Sequence, residues 1–204
     1  MLSRSRVVGV LVLWCGAVAG GLALQWRYDH TPGAREDSPG EWPRTEVLTR
    51  EPTGLTLVML AHPRCPCTRA SLQVLASVME RARGRVSAHV LLWVPGRGDA
   101  DWHEGELWRR AREIPGVQVH ADVEGQEARR FGALTSGHTV VYGADGHLVF
   151  SGGLTPARGQ PEEGAGAEAL LALARREVPG EARADVYGCG LRAPLARARE
   201  RGSP

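Results

Sequence analysis

The 204-residue chain has no lysine and no asparagine, a single isoleucine (Ile114) and two phenylalanines, and all 25 of its basic residues are arginines. This joint shortage is the mark of composition pressure in a GC-rich genome, so the arginines are not read as phosphate contacts despite their suitability for that role. Charge of either sign is not in excess: the formal net charge is +2, which gives no argument for a nucleic-acid partner. A phosphate-binding glycine loop is also missing, because Gly152-Gly153 follows a hairpin strand instead of leading into a helix. No internal repeat is apparent, and no Ser/His/Asp constellation can be argued from spacing. What is there is a globular balance, 43% hydrophobic and 24% charged, in a length suited to one ordinary domain with appendages.

The first appendage is at the amino end. Residues 1–6 carry Arg4 and Arg6, and the eighteen residues 7–24 after them are uncharged. A stretch of that length is close to the minimum that spans a bilayer as a helix, roughly 17–25 residues. Arginine before the span and Trp26 after it fit a single-pass anchor with residues 1–6 in the cytoplasm and the bulk of the chain on the extracytoplasmic, periplasmic side. A cleaved signal is the competing reading, with Ala17, Ala19 and Ala23 as small residues near a cleavage point. The stretch exceeds a usual signal core, which favours a retained anchor. Trp14 before Cys15 argues against a lipoprotein.

Residues 25–44, rich in proline, glycine and charge without an apolar period, read as a linker. Val47-Leu48 would be a short first strand. Apolar runs predict strands over 55–60, 86–94 and 117–121, with a hairpin over 139–142 and 147–151 around Asp145-Gly146. Three- and four-residue apolar spacing predicts helices over 70–82 and 104–114, a short one over 126–131 and a last one over 167–176. The order implies parallel strands with right-handed crossovers followed by an antiparallel hairpin. Residues 45–178 would be the domain, and 179–204 an irregular tail carrying Cys189.

The chemistry concentrates in His62-Pro63-Arg64-Cys65-Pro66-Cys67-Thr68, where the first long strand turns into a helix. Unpaired N–H groups and the positive dipole end favour thiolate there. Arg64 and Arg69 would add positive charge. With Cys15 in the anchor, Cys65, Cys67 and Cys189 remain outside the cytoplasm, where thiols tend to be oxidised. Three is odd, which mildly favours chemistry over structural bridging. A Cys65–Cys67 bond across Pro66 would be strained and readily reduced. Cys189, between glycines, is the alternative partner, either as a resolving thiol or as a static staple. The other histidines (His89, His103, His120, His147) read as strand or surface residues, and Trp93 and Trp108 read as core.

The segment 57–68, then Val119 to Asp122, Phe131-Gly132, Val140 to Gly146 and Gly152-Gly153, resembles in sequence order the α/β thioredoxin-like fold, a central mixed β-sheet flanked by helices. It is most similar to the membrane-tethered exported branch of TlpA and ResA. The stretches HPRCPCTRAS, FGALTSG and VYGC also resemble a bacterial thioredoxin-like group labelled RedB. The resemblance implies thiol–disulfide exchange with exported protein thiols or disulfides, with Cys65 attacking from the exposed turn, Cys67 resolving, and Arg64, Pro66, His62 and His138 shaping the site. It departs from the family in its Cys-x-Cys spacing and in placing His138 where a cis-proline is usual. That loss makes a copper or zinc carrier, held by Cys65, Cys67, His62 and His138, the alternative to a cofactor-free exchanger. A third class is a thioredoxin-fold binding module without turnover.

Overall fold

A computed structural model describes residues 4–96, 102 and 105–191. Most of the expected loop after Gly96, together with His103, Glu104 and the basic end of the chain, lies outside the described residues. The chain divides into two compact units, one ending at Thr31 and the other beginning at Pro32.

The first unit is helix α1, Arg4–Asp29. Its apolar stretch is exposed along its length, and among the described residues this one helix is long and apolar enough to cross a membrane. The helix outlasts the expected span by five residues. Gln25 Nε2 donates to Asp29 Oδ1 at 2.9 Å, one turn on. His30 Nδ1 lies 2.8 Å from the Trp26 carbonyl, and Thr31 Oγ1 donates to that of Arg27, so carbonyls left over at the helix end find partners.

The second unit is built on a five-stranded sheet in the order β3-β2-β1-β4-β5. The strands are β1 Leu55–Ala61, β2 Val86–Val94, β3 Val117–Val123, β4 His138–Tyr142 and β5 Leu148–Gly152. The first three are mutually parallel, and β4 and β5 run antiparallel. Central β1 is covered on both faces, which explains its unbroken apolar run. Leu57, Met59 and Ala61 enter one core cluster, and Val58 and Leu60 enter the other. Each large side chain buried this way contributes roughly 1.5–3 kcal/mol.

Helices α2 (Pro66–Ala82), α3 (Glu106–Arg112) and α5 (Ala165–Ala174) pack into the first cluster. Leu72, Leu75, Val78, Met79 and Ala82 form the buried face of α2. The helix starts four residues before the apolar period does, because Pro66 fits the first helical position. It ends where Arg83 and Gly84 take up left-handed conformations, φ 50° and 74°.

Among the described residues the other face carries only the short α4 (Gln126–Arg130) and irregular chain. The residues expected to be a free linker supply part of this cover. Trp42 packs edge-on to Phe131 and Tyr142, and Tyr142 donates its hydroxyl to the Pro39 carbonyl at 2.9 Å. Leu148 N–H reaches Gly40 O, and Trp42 N–H reaches Gly146 O, each at 2.8 Å. Val47-Leu48 is not a strand; Leu48 is buried as a single anchor. The tail is likewise laid down as a strap: Ser151 N–H donates to Ala182 O, Gly33 N–H to Val186 O, and Leu191 N–H to Leu134 O. These segments bury their few apolar groups against a sheet face that the helices leave open.

Candidate active site at the strand-to-helix turn

The turn after β1 lies at the carboxyl end of the central strand, beside the place where strand order reverses. Open α/β sheets bind their ligands at such a switch point. Cys65 N–H bonds to His62 O at 3.1 Å, and Cys65 has extended backbone as the cap of α2. Ser136, fully buried before β4, locks the turn: its hydroxyl accepts from His62 N–H at 2.9 Å and shares a hydrogen bond with Thr68 Oγ1 at 2.8 Å. Thr68 Oγ1 also reaches the His62 carbonyl at 3.0 Å.

Three sulfurs meet here. Cys189 Sγ lies 2.8 Å from Cys65 Sγ, and Cys189 N–H points at the same sulfur over 3.4 Å. The strap carries Cys189 to this place: Ser136 N–H donates to Cys189 O at 2.8 Å, and Thr135 bridges to Gly190. Gly188 is required, since a Cβ there would overlap the Ser136 carbonyl oxygen. Arg158 donates to Gly188 O, and Gly159 beside it offers its backbone to Cys67. All the cysteines are free thiols.

The three thiols are electrostatically unequal. The Cys65 thiol is lowered to about 4, chiefly by a hydrogen bond from Cys67 that prevails over burial, with smaller help from Cys189. Cys67 is pushed up, first by its bond to Cys65 and then by burial. Cys189 is raised to about 11 by burial and by the Cys65 charge, with Arg158 opposing. At neutral pH the cluster is therefore one thiolate held by two S–H donors.

Several expectations are corrected. Cys65 does not sit at the exposed turn: it is 2% exposed and Cys67 7%, while Cys189 is the exposed member. The arginines are not the partners of the thiolate. Arg69 pairs with Glu106 at 2.7 Å, and the Arg64 guanidinium lies 3.7 Å over the Trp102 ring. His138 points to the opposite face, as strand alternation with Val140 and Tyr142 requires. There its Nε2 is 2.9 Å from Ser151 Oγ, and burial lowers it to about 4. His62 accepts from Arg64 N–H through Nδ1 at 3.2 Å and stacks on Trp93. The metal set of Cys65, Cys67, His62 and His138 is thus not assembled. Among the described residues no three His, Cys, Asp or Glu side chains are arranged to hold a metal ion. Trp93, expected in the core, is half-buried in an aromatic group with His62 and Trp102, whereas Trp108 is core. His120 lies in β3, as expected, and its Nε2 is 3.1 Å from Nδ1 of buried His89.

Nothing in the sequence pattern marked the loop bearing Arg158 and Gly159 as part of the site. The pattern also gave no means of choosing between Cys67 and Cys189.

The fold is shared with solved structures of low sequence identity. A hypothetical protein from Sinorhizobium meliloti superposes with a TM-score of 0.60 at 14% identity, covering 79% of this chain and 98% of that one. An uncharacterized conserved protein from Geobacillus kaustophilus gives 0.56 at 17%, covering 82% and 94%. With this sheet order, and cysteines where β1 meets α2, the architecture is settled. The fold is thioredoxin-like. A secreted Mycobacterium tuberculosis disulfide oxidoreductase homologous to E. coli DsbE overlaps more narrowly, with a TM-score of 0.37 at 19% identity over 47% of this chain and 66% of that one. No protein-family model matches the chain, and no curated protein matches its sequence.

Proposed function

We propose that the protein is a membrane-anchored, exported thiol–disulfide exchange protein whose redox pair is Cys65 and Cys189. Its substrates are thiols or disulfides of other exported proteins. The observation that carries this reading is the meeting of the two sulfurs at 2.8 Å, with Cys65 held as thiolate by a third thiol. Thiolates, not thiols, carry out exchange. A staple has no use for the third sulfur, whereas a redox pair does, because Cys67 stabilises the charge left on Cys65 when the bond opens. Residues 7–24 are the anchor in this reading, with Arg4 and Arg6 on the cytoplasmic side.

A copper or zinc carrier is less well supported by the donor set. Among the described residues no imidazole joins these sulfurs in a group arranged to hold a metal ion. A binding module without turnover leaves the unequal thiols unused.

The test is thiol counting on the full chain under denaturing conditions, before and after mild oxidation. Of the three thiols outside α1, one remains after oxidation, and two return on reduction. An unchanged count contradicts the proposal. Metal uptake that disappears in Cys65→Ser/Cys67→Ser, without a reversible change in thiol count, would favour the carrier.

A further inference from the structure

We propose that Cys189, on the C-terminal strap, is the sulfur that exchanges with substrate, and that the helix-borne Cys65 is the internal leaving thiol. This rests on Cys65 and Cys189 being the redox pair, and it reverses the roles expected from the turn alone.

Access and the direction of attack distinguish the two sulfurs. A thiolate attacks a disulfide sulfur from the side opposite the sulfur that leaves, with the three atoms near a line. Cys65 is 2% exposed, and its neighbour Cys67 is 7% exposed, so Cys65 offers almost no surface on which an incoming sulfur could land. Cys189 is exposed on the solvent side of the pair. Its neighbours are Gly188 and Gly190, so no adjacent side chain shields it. The strap holds it in place by backbone bonds on both sides, Val186 O to Gly33 N–H and Leu191 N–H to Leu134 O, each 2.8 Å. A macromolecular thiol therefore reaches Cys189 without unseating the strap. To reach Cys65 it would have to strip the strap away.

Leaving-group strength acts in the same direction. Attack on Cys189 expels Cys65, the thiolate that Cys67 stabilises, whereas attack on Cys65 would expel the poorer leaving group. In the forward step a substrate thiolate bonds to Cys189 Sγ, the Cys65–Cys189 bond breaks, and its electron pair stays on Cys65. A second thiolate of the same substrate then attacks the substrate sulfur of this mixed disulfide. The substrate disulfide forms, and Cys189 leaves and takes a proton from water. The substrate dithiol has lost two electrons and the protein disulfide has gained them. Reduction of a substrate disulfide is the same sequence reversed.

The experiment uses the full chain in detergent, oxidised, with its linkage first mapped by non-reducing peptide analysis. Reduced glutathione is added, the reaction is acid-quenched at successive times, and adducts are located by mass spectrometry. The expected result is glutathione on Cys189 with Cys65 free, in at least about tenfold excess over the converse adduct, the ratio for about 1.4 kcal/mol of preference. Adduct mainly on Cys65, or reduction of the pair without any adduct on Cys189 at any time point, overturns this inference alone. Absence of a Cys65–Cys189 linkage in the starting material overturns it together with the redox-pair reading.

Discussion

At the scale of single residues, the Cys65 thiolate is the central electrostatic feature, and its cause is local. Its lowered value comes first from the Cys67 S–H, so Cys67→Ala should raise it. Thiolate absorbance followed from pH 3 to 10 should show one thiolate appearing near pH 4 in the wild type and at higher pH in the variant. Stability should follow. In the unfolded chain Cys65 titrates at its ordinary value of 9.0, so between about 4 and 9 the unfolded state binds one more proton than the folded state. The stabilisation is complete above the upper limit and is lost as pH falls toward the lower. Buried His138, lowered from 6.5 to about 4, acts in the same direction over the narrower window between those values. The oxidised protein retains the His138 contribution and lacks that of Cys65. Urea midpoints should therefore fall less steeply from pH 9 to pH 4 in the oxidised form; equal slopes would contradict the assignment. The cysteine-bearing turn itself was legible in the sequence, because an apolar run, then Cys-Pro-Cys, then a helical period mark a strand-to-helix junction. His138 was misplaced for a reason that the sequence contains. It alternates with Val140 and Tyr142 and must share their face, yet the family position suggested proximity to the cysteines.

At the scale of elements, strands and helices followed apolar periodicity closely, and apart from Val47-Leu48, which forms no strand, the errors fall at their ends. Helix α2 begins at Pro66, before any apolar period, because a proline and a capping cysteine set its start. The two straps were not legible. Residues 33–42 and 182–191 have the composition of loops, and their order comes from backbone bonds to distant partners such as Gly33 to Val186. Such contacts leave little mark on local pattern. The site depends on them nonetheless. Gly188→Ala places a methyl group against the Ser136 carbonyl and should lift Cys189 from Cys65. Formation of the Cys65–Cys189 bond should slow about tenfold or more, the factor for losing about 1.4 kcal/mol of docking, while the circular dichroism of the domain stays unchanged. Ser136→Ala removes the acceptor for His62 N–H and the partner of Thr68 Oγ1, both in the turn. Thr68 Oγ1 keeps the His62 carbonyl, and leaving the His62 N–H unsatisfied costs about 1–3 kcal/mol. A thermal midpoint equal to wild type would show that the turn does not rely on this hydroxyl.

At the scale of the whole molecule, a thioredoxin-like sheet holds the cysteine-bearing turn at the end of its central strand and brings to it a cysteine 124 residues away. The overall architecture could be read in advance because alternating strands and helices allow few sheets. The completed site could not, because one of its three sulfurs arrives on a strap whose course is set by tertiary packing. Helix α1 adds a testable physical property. Full-length protein should remain with membranes through alkaline carbonate extraction, and protein lacking residues 1–24 should be released; release of both would remove the anchor. The most direct measurement of the central claim is differential alkylation of the full chain, acid-quenched and denatured after equilibration in glutathione redox buffers, with each cysteine quantified separately. The account predicts that Cys65 and Cys189 become protected together along one two-electron curve while Cys67 stays alkylatable throughout. Protection of Cys65 together with Cys67, with Cys189 left reactive, would contradict it.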